Sequence, residues 1–292
     1  MLSMKAEKKK QAPEKTAGKV EVRKHEIRPG QSLELLKELH ILTRDGQLNQ
    51  DSRRKLKQVY HLFNFIEPLL QEARQANPEI HLVDHGAGKS YLGFILYDLF
   101  FREHGGESTI WGIETRDELV ARSRELAARL GFPGMRFLNL SVADSIVSPE
   151  LPDRVDVVTA LHACNTATDD AIRFALAKRA KYIVLVPCCQ AEVAATLRKH
   201  KATALAEALG EVWRHPLQTR EFGSHLTNVL RCLQLQAHGY EVTVTELTGW
   251  EHSMKNELII AVDRQLPTKK PAARLAELLA TFGLDELRER FA

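Results

Sequence analysis

Short apolar runs alternate with helix-length segments through the middle of this chain, and that alternation restricts the fold more than any other feature. Amphipathic patterns of helical length, at residues 89–103 and 116–130, separate the first three runs. Strands that alternate with helices predict a parallel sheet covered by helices on both faces, which is an α/β fold. The five strand-sized runs lie at residues 80–83, 110–113, 135–140, 155–161 and 182–187.

The alternation stops near residue 190, and helical patterns dominate on both sides of the predicted sheet. Residues 190–239 predict a helical insertion before the sixth strand, and two further runs, at 241–247 and 257–262, bring the expected strands to seven. Before the sheet, amphipathic patterns predict one helix at 31–44 and a second from Asp51 to about Gln75, capped by Asp51 and Ser52. The expected regions are a disordered basic tail at 1–22, an N-terminal helical extension at 23–76, the sheet domain at 77–264 with its insertion at 190–239, and a C-terminal helix at 265–292.

Composition excludes several classes of protein. With 44% hydrophobic residues the chain can form a sizeable core, and its apolar runs are too short to cross a membrane. Four cysteines, two of them adjacent, are too few for a disulfide scaffold, and the first residues lack a secretory signal, so we expect a cytoplasmic protein. Six lysines and two glutamates give residues 1–20 a charge of +4, which leaves −1 of the total +3 for the rest. A uniformly basic body that binds nucleic acid is therefore not indicated.

A glycine loop follows the first predicted strand, in the sequence Asp-His-Gly-Ala-Gly-Lys-Ser from residue 84 to 90. A Walker A loop would need glycine at position 83, which is Val83 inside the strand. A dinucleotide fingerprint would need glycine at position 91, which is Tyr91, and an acid about 20 residues onward, whereas Glu114 lies 30 residues after Asp84. Both motifs fit poorly, and a tight turn without a ligand remains an alternative.

A third pattern is the one that holds S-adenosylmethionine. It consists of an acid at a strand end, then Gly-x-Gly and a helix, and a second acid at the end of the next strand. Asp84 would lie near the ammonium group of the methionine portion, and Gly86 and Gly88 would let the backbone approach the cofactor. Glu114 would accept hydrogen bonds from both ribose hydroxyls. The adenine contact is expected just past the third strand, from candidates that remain open: Ser141, Val142 and Asp144.

Histidine and cysteine residues follow the fourth and fifth predicted strands. Because ligands bind beyond the carboxyl ends of parallel strands, these side chains are expected to converge at one edge of the cleft. Thiolates and imidazole suit zinc, but adjacent cysteines rarely hold one ion and no C-x-x-C spacing occurs, so we expect no metal. A vicinal disulfide and a pocket shaped by small side chains are the other interpretations. The residues concerned are His162, Cys164, Cys188 and Cys189.

Three motifs in order, D-x-G-x-G-K, H-x-C-x-x-A-T-D and P-C-C, resemble one family of class I methyltransferases. That family includes the methyltransferase-like 25 proteins and the methyltransferase domain of a glutathione S-transferase C-terminal-domain protein. The second and third motifs are also similar to the tRNA acceptor-stem ribose 2′-O-methyltransferase. The resemblance covers about residues 50–262, with Asn165 where many relatives have glycine and Gln190 where the tRNA enzyme has histidine. It implies a Rossmann-like seven-stranded sheet and S-adenosylmethionine, held by Asp84, Gly86, Gly88 and Glu114.

Two residues of the second motif are the candidates for catalysis. His162, at a strand end facing the cofactor, is expected near the transferred methyl group as a cofactor-binding and catalytic residue, with a buried structural histidine as the alternative. Asp169 is the second catalytic candidate, although Thr166-x-x-Asp169 also fits a capping box. Four residues are expected on the substrate side: Cys188, Cys189, Lys255 and Asn256.

Basic residues on two helical segments give a further hypothesis about the partner. They would frame a positively charged cleft for an RNA backbone, or they would form ordinary solvated faces. The residues are Arg53, Arg54 and Lys57 near the start of the second helix, and Arg220, His225, Asn228 and Arg231 in the insertion.

The sequence thus predicts an S-adenosylmethionine-dependent methyltransferase that acts on a macromolecule, RNA ahead of protein. No membrane partner is expected. A non-catalytic module that binds S-adenosylmethionine and acts through partners is the alternative, and a metal-dependent hydrolase is a third reading.

Overall fold

A computed structural model describes residues 27–104, 106–161, 165–187, 190–199, 214–247 and 256–292. Seven strands form one sheet in the spatial order β3-β2-β1-β4-β5-β7-β6. The first five are parallel, whereas β7 runs antiparallel to both β5 and β6. The strands are β1 (His81–His85), β2 (Thr109–Glu114), β3 (Met135–Asn139), β4 (Val157–Leu161), β5 (Tyr182–Val186), β6 (Tyr240–Glu246) and β7 (Glu257–Asp263). The seven-stranded α/β prediction is confirmed.

Helices cover both faces of this sheet. A π-helical turn, Tyr97–Phe101, joins α3 to α4, and a 3₁₀ turn, Asp285–Leu287, follows α10. The helices are α1 (Leu33–Glu38), α2 (Gln50–Ala76), α3 (Tyr91–Leu96), α4 (Arg102–His104), α5 (Asp117–Leu130), α6 (Val142–Val147), α7 (Ala167–Ala177), α8 (Glu192–Lys199), α9 (Pro216–Ala237) and α10 (Lys269–Thr281).

The core follows from alternation along the strands, since successive side chains point to opposite faces. On β1, Leu82 packs into the cluster formed with α2 and α3, whereas Val83 packs into the cluster formed with α7 and the end of α9. All six residues of β2 are buried, as expected for a strand covered on both faces. Gly112 of β2 leaves room for Phe137, because a Cβ there would lie 2.6 Å from the Phe137 ring.

Three local details differ from the sequence prediction. Helix α1 ends at Glu38 because the chain turns at His40, where φ is +53°, although Ile41 beyond the turn is still buried. Helix α2 is capped by Asn49, whose side-chain oxygen accepts a hydrogen bond of 2.8 Å from Ser52 N, and not by Asp51 and Ser52. The C-terminal helix ends at Thr281, eleven residues before the expected end at residue 292.

Within the described ranges, no helix combines the length and apolar character that crossing a bilayer requires.

Candidate functional site

The carboxyl ends of the parallel strands meet at one edge of the sheet, and the glycine loop lies at its centre. Gly86 and Gly88 have φ angles of +66° and +58°, a region that favours glycine. Ala87 N donates a hydrogen bond of 2.9 Å to Ile113 O, which ties the loop to the end of β2. The loop therefore presents bare backbone at the point where β1 and β2 open.

Asp84 lies at the end of β1 and is almost fully buried. Its carboxylate accepts hydrogen bonds from Thr159 Oγ1 at 2.9 Å and from Ser90 Oγ at 3.5 Å. Burial raises the pKa of Asp84 to about 6, against the opposing effect of the hydrogen bonds from Thr159, Gly93 N and Ser90. The group can therefore change its charge close to physiological pH.

A cavity of about 400 Å³ adjoins this carboxylate, and we call it the Asp84 cavity. It lies between α2, α3, the glycine loop at Ala87 and the last residue of β4. Its polar lining residues are few, and most of its wall is aliphatic. The aliphatic residues are Leu39, Val59, Leu62, Leu92, Ile95 and Leu161.

A second cavity, of about 410 Å³, lies on the other side of the glycine loop, and we call it the Glu114 cavity. Glu114 accepts hydrogen bonds from Gly88 N at 2.8 Å and from Arg116 Nε at 3.0 Å and Nη2 at 3.1 Å. Burial alone would raise the pKa of Glu114, but these hydrogen bonds hold it below its usual value. Glu114 is thus an ionised acceptor at the cavity, and a ligand hydroxyl there would compete with Arg116.

The three candidates for the adenine contact have different environments. Val142 borders the Glu114 cavity together with Leu140. Ser141 and Asp144 instead bond to each other, since Ser141 Oγ accepts from Asp144 N at 3.2 Å and donates to Asp144 Oδ2 at 2.5 Å, which caps α6. The geometry therefore favours Val142 for the contact with a ligand in this cavity.

Sequence reasoning passed over His85, which also borders the Glu114 cavity. Its ring packs against Phe174 with centroids 5.3 Å apart, and neither ring nitrogen has a hydrogen-bond partner among the residues that the structure describes. Burial lowers the pKa of His85 to about 4, so the ring is neutral. The sequence feature that could have identified His85 as a residue of the site is its position between Asp84, the acid at the strand end, and Gly86.

Asp169 opens α7 and forms a buried ion pair with Arg231 of α9. Arg231 Nε and Nη2 donate to the two carboxylate oxygens at 2.6 and 2.8 Å, and the side chains are 0% and 4% exposed. Thr166 makes no side-chain capping bond, so the capping box that was the alternative role for Asp169 does not form. Both carboxylate oxygens of Asp169 accept hydrogen bonds from Arg231, so Asp169 would have to be released from Arg231 before it could act as a general base.

The same arginine belongs to a wider buried network. Arg231 Nη2 donates to Asn165 O at 3.0 Å, and Nη1 donates to Asn228 Oδ1 at 3.2 Å. Asn228 Oδ1 also accepts from Gln190 Nε2 at 2.7 Å, and its amide donates to Glu257 Oε2 at 2.7 Å. Helix α9 thereby holds the loops after β4 and β5 and the start of β7.

The expected basic face of the insertion is therefore divided between surface and core. Arg220 and His225 are exposed, whereas Asn228 and Arg231 are buried and belong to the network. Near the start of α2, Arg54 pairs with Asp51 at 2.9 Å. Arg231 and Asn228 contribute to the interior and not to a surface for RNA.

The histidine–cysteine cluster lies outside the described residues, as does Lys255; the residues concerned are His162, Cys164, Cys188, Cys189 and Lys255. The strands that precede the histidine and the cysteines, β4 and β5, are neighbours in the sheet, with Leu161 of β4 paired to Val186 of β5. Asn165 has a φ of +53°, in the left-handed region that asparagine tolerates better than most residues. No group of three potential metal ligands occurs within the described ranges.

Asn256 lies directly before β7 and donates a hydrogen bond to Glu246 of β6. Both border a polar cavity of about 280 Å³ beside Pro187, together with Glu221 and Glu257. The position fits a residue at the edge of the site next to the end of β5.

Comparison with known proteins gives one family match. Residues 54–196 match the sequence model of a family described as a methyltransferase domain. The mouse protein named glutathione S-transferase C-terminal domain-containing protein is 24% identical over 240 residues, and its human counterpart is 22% identical over the same length. These alignments cover 76% of this chain and 35% of each relative, so the chain spans about a third of the length of the curated relatives it matches.

Solved structures with a similar fold include the magnesium protoporphyrin IX methyltransferase from Synechocystis PCC 6803. It is 13% identical, with 78% of this chain and 92% of that chain covered, at a TM-score of 0.42. The 23S rRNA methyltransferase ErmE is 17% identical, with 75% of each chain covered, at a TM-score of 0.38. The family match extends from α2 through all five parallel strands, on a sheet of the order described above, and it supports a class I S-adenosylmethionine-dependent methyltransferase domain with S-adenosylmethionine as the cofactor.

Proposed function

We propose that the chain transfers a methyl group from S-adenosylmethionine to a macromolecular acceptor, and that this acceptor is RNA and not protein. The observation that carries the proposal is that two cavities border the glycine loop from opposite sides, one at Ala87 and the other at Gly86. The Glu114 cavity has an ionised acceptor and the Asp84 cavity lies beside it, so a cofactor and an acceptor group can meet over Gly86 and Gly88.

The residues present fit the cofactor. Glu114 would hold the ribose hydroxyls, Val142 would pack on the adenine, and Asp84 would lie near the amino group. When bound, the cofactor supplies an electrophilic methyl group on a positively charged sulfur. The protein's main contribution is then alignment, since holding the reacting atoms about 3 to 3.5 Å apart supplies much of the acceleration.

The transfer is a single displacement in this proposal. A lone pair of the acceptor forms the new bond to the methyl carbon as the carbon–sulfur bond breaks, and the electrons of that bond stay on sulfur. The acceptor's proton leaves to solvent or to a base. His162 is the proposed residue near the methyl group, whereas Asp169 would serve this role only after release from Arg231.

A cationic groove supports RNA as the acceptor. It runs past α1, the start of α2 and one side of α5, and touches the Asp84 cavity at Leu39 and Lys55. Six lysine and arginine side chains line it, and two of them pair with carboxylates, Lys55 with Asp51 at 3.0 Å and Arg129 with Glu38 at 2.7 Å. The other cations are Lys37, Arg44, Lys89 and Arg122, and the third acid is Glu125. Such a groove suits phosphates, which position nucleic acids without reading their sequence.

The test begins with calorimetric titration of the purified protein with S-adenosylmethionine, and with NAD and ATP as controls. Radiolabelled S-adenosylmethionine is then supplied with total RNA or with cell protein, beside the Glu114→Ala variant. We expect binding of S-adenosylmethionine alone and label in RNA with the wild-type protein. Label in protein would overturn the choice of acceptor, and binding without label in either fraction would favour the non-catalytic module.

A further inference from the structure

The Asp84 cavity is larger and more apolar than a cofactor's amino-acid end requires. A charged ammonium or carboxylate needs polar partners when buried, and these occur at the Asp84 and Lys55 sides of the cavity. The remaining wall, formed by α2 and α3, is mostly aliphatic around Val59, Leu62 and Ile95, with Gln58 and Tyr91 as its polar members. That part is suited to an uncharged group with apolar faces, and its size falls within the ordinary range for small-molecule pockets.

One polar side chain of this cavity has no hydrogen-bond partner among the described residues. Tyr91 borders the cavity from the first turn of α3, and among the described residues none forms a hydrogen bond with its hydroxyl. Burial raises the pKa of Tyr91, so the hydroxyl stays neutral and can donate or accept one hydrogen bond. An occupant with apolar faces and polar edges would satisfy both the aliphatic wall and this hydroxyl.

The mouth of the cavity adjoins the cationic groove. Lys55, which pairs with Asp51 at 3.0 Å, borders both, and Leu39 lies between the cavity and the part of the groove that contains Lys89 and Arg122. An apolar pocket that opens onto a cationic groove matches a nucleotide, in which a ring with polar edges is attached to a charged backbone.

We propose that the methyl acceptor is a nucleobase of single-stranded RNA, inserted into the Asp84 cavity while its flanking phosphates lie on the cationic groove. This inference rests on the proposed function and assigns the acceptor to the base instead of the ribose. A nitrogen of the base forms the bond to the methyl carbon, and its proton leaves to solvent. Single-stranded RNA is the favoured form because extracting a base from a duplex costs a few kcal/mol.

The decisive measurement identifies the product. Total RNA is labelled by the wild-type full chain with radiolabelled S-adenosylmethionine, digested to nucleosides and separated by chromatography. We expect the label in base-methylated nucleosides. Label in 2′-O-methylated nucleosides would overturn this inference but leave the proposed function standing, whereas absence of label in RNA would overturn the proposed function itself.

Two variants test the cavity and the groove separately. Val59→Trp fills the cavity and should lower methylation of RNA at least tenfold, with the Kd for S-adenosylmethionine within threefold; its control is Val147→Trp, at a residue that is 78% exposed. Lys89→Glu/Arg122→Glu should weaken binding of a fluorescent single-stranded 12-mer at least tenfold, unlike Lys269→Glu/Lys270→Glu on α10. Unchanged methylation by a folded Val59→Trp protein, or unchanged binding by the groove variant, would refute the assignment.

Discussion

Replacing Arg231 by methionine tests the interpretation that α9 organises the loops of the site. The change removes the guanidinium while keeping a long apolar side chain of similar reach. Asp169 would then be a carboxylate at 4% side-chain exposure without its cation, and Asn165 O would lose a donor at 3.0 Å. Breaking a buried ion pair from one side costs about 3–5 kcal/mol, because an uncompensated charge remains in the interior.

That cost is a large part of the total stability, which is about 5–15 kcal/mol for a typical domain. The assay is urea denaturation followed by circular dichroism, with the free-energy change taken from the shift of the midpoint at constant slope. Because the guanidinium bonds to the loop after β4 and to Asn228, which in turn holds the loop after β5, we also expect Arg231→Met to weaken binding of S-adenosylmethionine at temperatures where the variant remains folded.

Two comparisons distinguish a lost ion pair from lost packing. The double variant Arg231→Met/Asp169→Asn removes the stranded charge and should recover about 2 kcal/mol relative to the single variant. Arg220→Met, on an exposed part of the same helix, should change stability by less than about 1 kcal/mol. A loss below about 1 kcal/mol for Arg231→Met, or no recovery in the double variant, would refute the assigned role.

Three further predictions follow from the cleft and the sheet. Burial raises the pKa of Asp84 to about 6, so the carboxyl is neutral below that pH and ionised above it. The affinity for the cationic amino end of S-adenosylmethionine should therefore rise between pH 5 and 7. Calorimetry should find no such rise for the Asp84→Asn variant. Glu114→Ala removes an ionised acceptor for two hydroxyls and should raise the Kd about tenfold to hundredfold, with Arg116 already competing in the wild type; a Kd within twofold would contradict this. Gly112→Ala places a methyl group 2.6 Å from Phe137 and should cost about 1–3 kcal/mol in urea denaturation, which Gly112→Ala/Phe137→Leu should partly restore.

The features that sequence reasoning found are those determined by strand ends. Asp84 and Glu114 could be placed because acids at the ends of successive parallel strands meet at one edge, and both border cavities there. The choice of Val142 over Ser141 and Asp144 needed coordinates, because a serine followed three residues later by an aspartate can cap a helix or bind a ligand.

The features that sequence reasoning missed depend on helix rotation and on long-range pairing. Arg231 lies 62 residues from Asp169, and a charged residue on an amphipathic helix is usually exposed, so the pattern alone favoured a surface. The aliphatic wall of the Asp84 cavity was also hidden, since Val59 and Leu62 fit the apolar stripe that any packed helix requires. In both cases the decisive information was which element lies opposite the helix.

The position of β7 between β5 and β6 has a consequence for how the chain is completed during synthesis. Until residues 257–263 are synthesised, β5 has an open hydrogen-bonding edge on the side away from β4. Asp169 likewise lacks its ion-pair partner until Arg231 of α9 has been synthesised. An unpaired strand edge is a site for aggregation. A fragment that ends at residue 196, the last residue of the family match, therefore should not fold as an independent unit. The residues that match the family model depend on β7, which lies beyond them in the sequence, to cover the edge of β5.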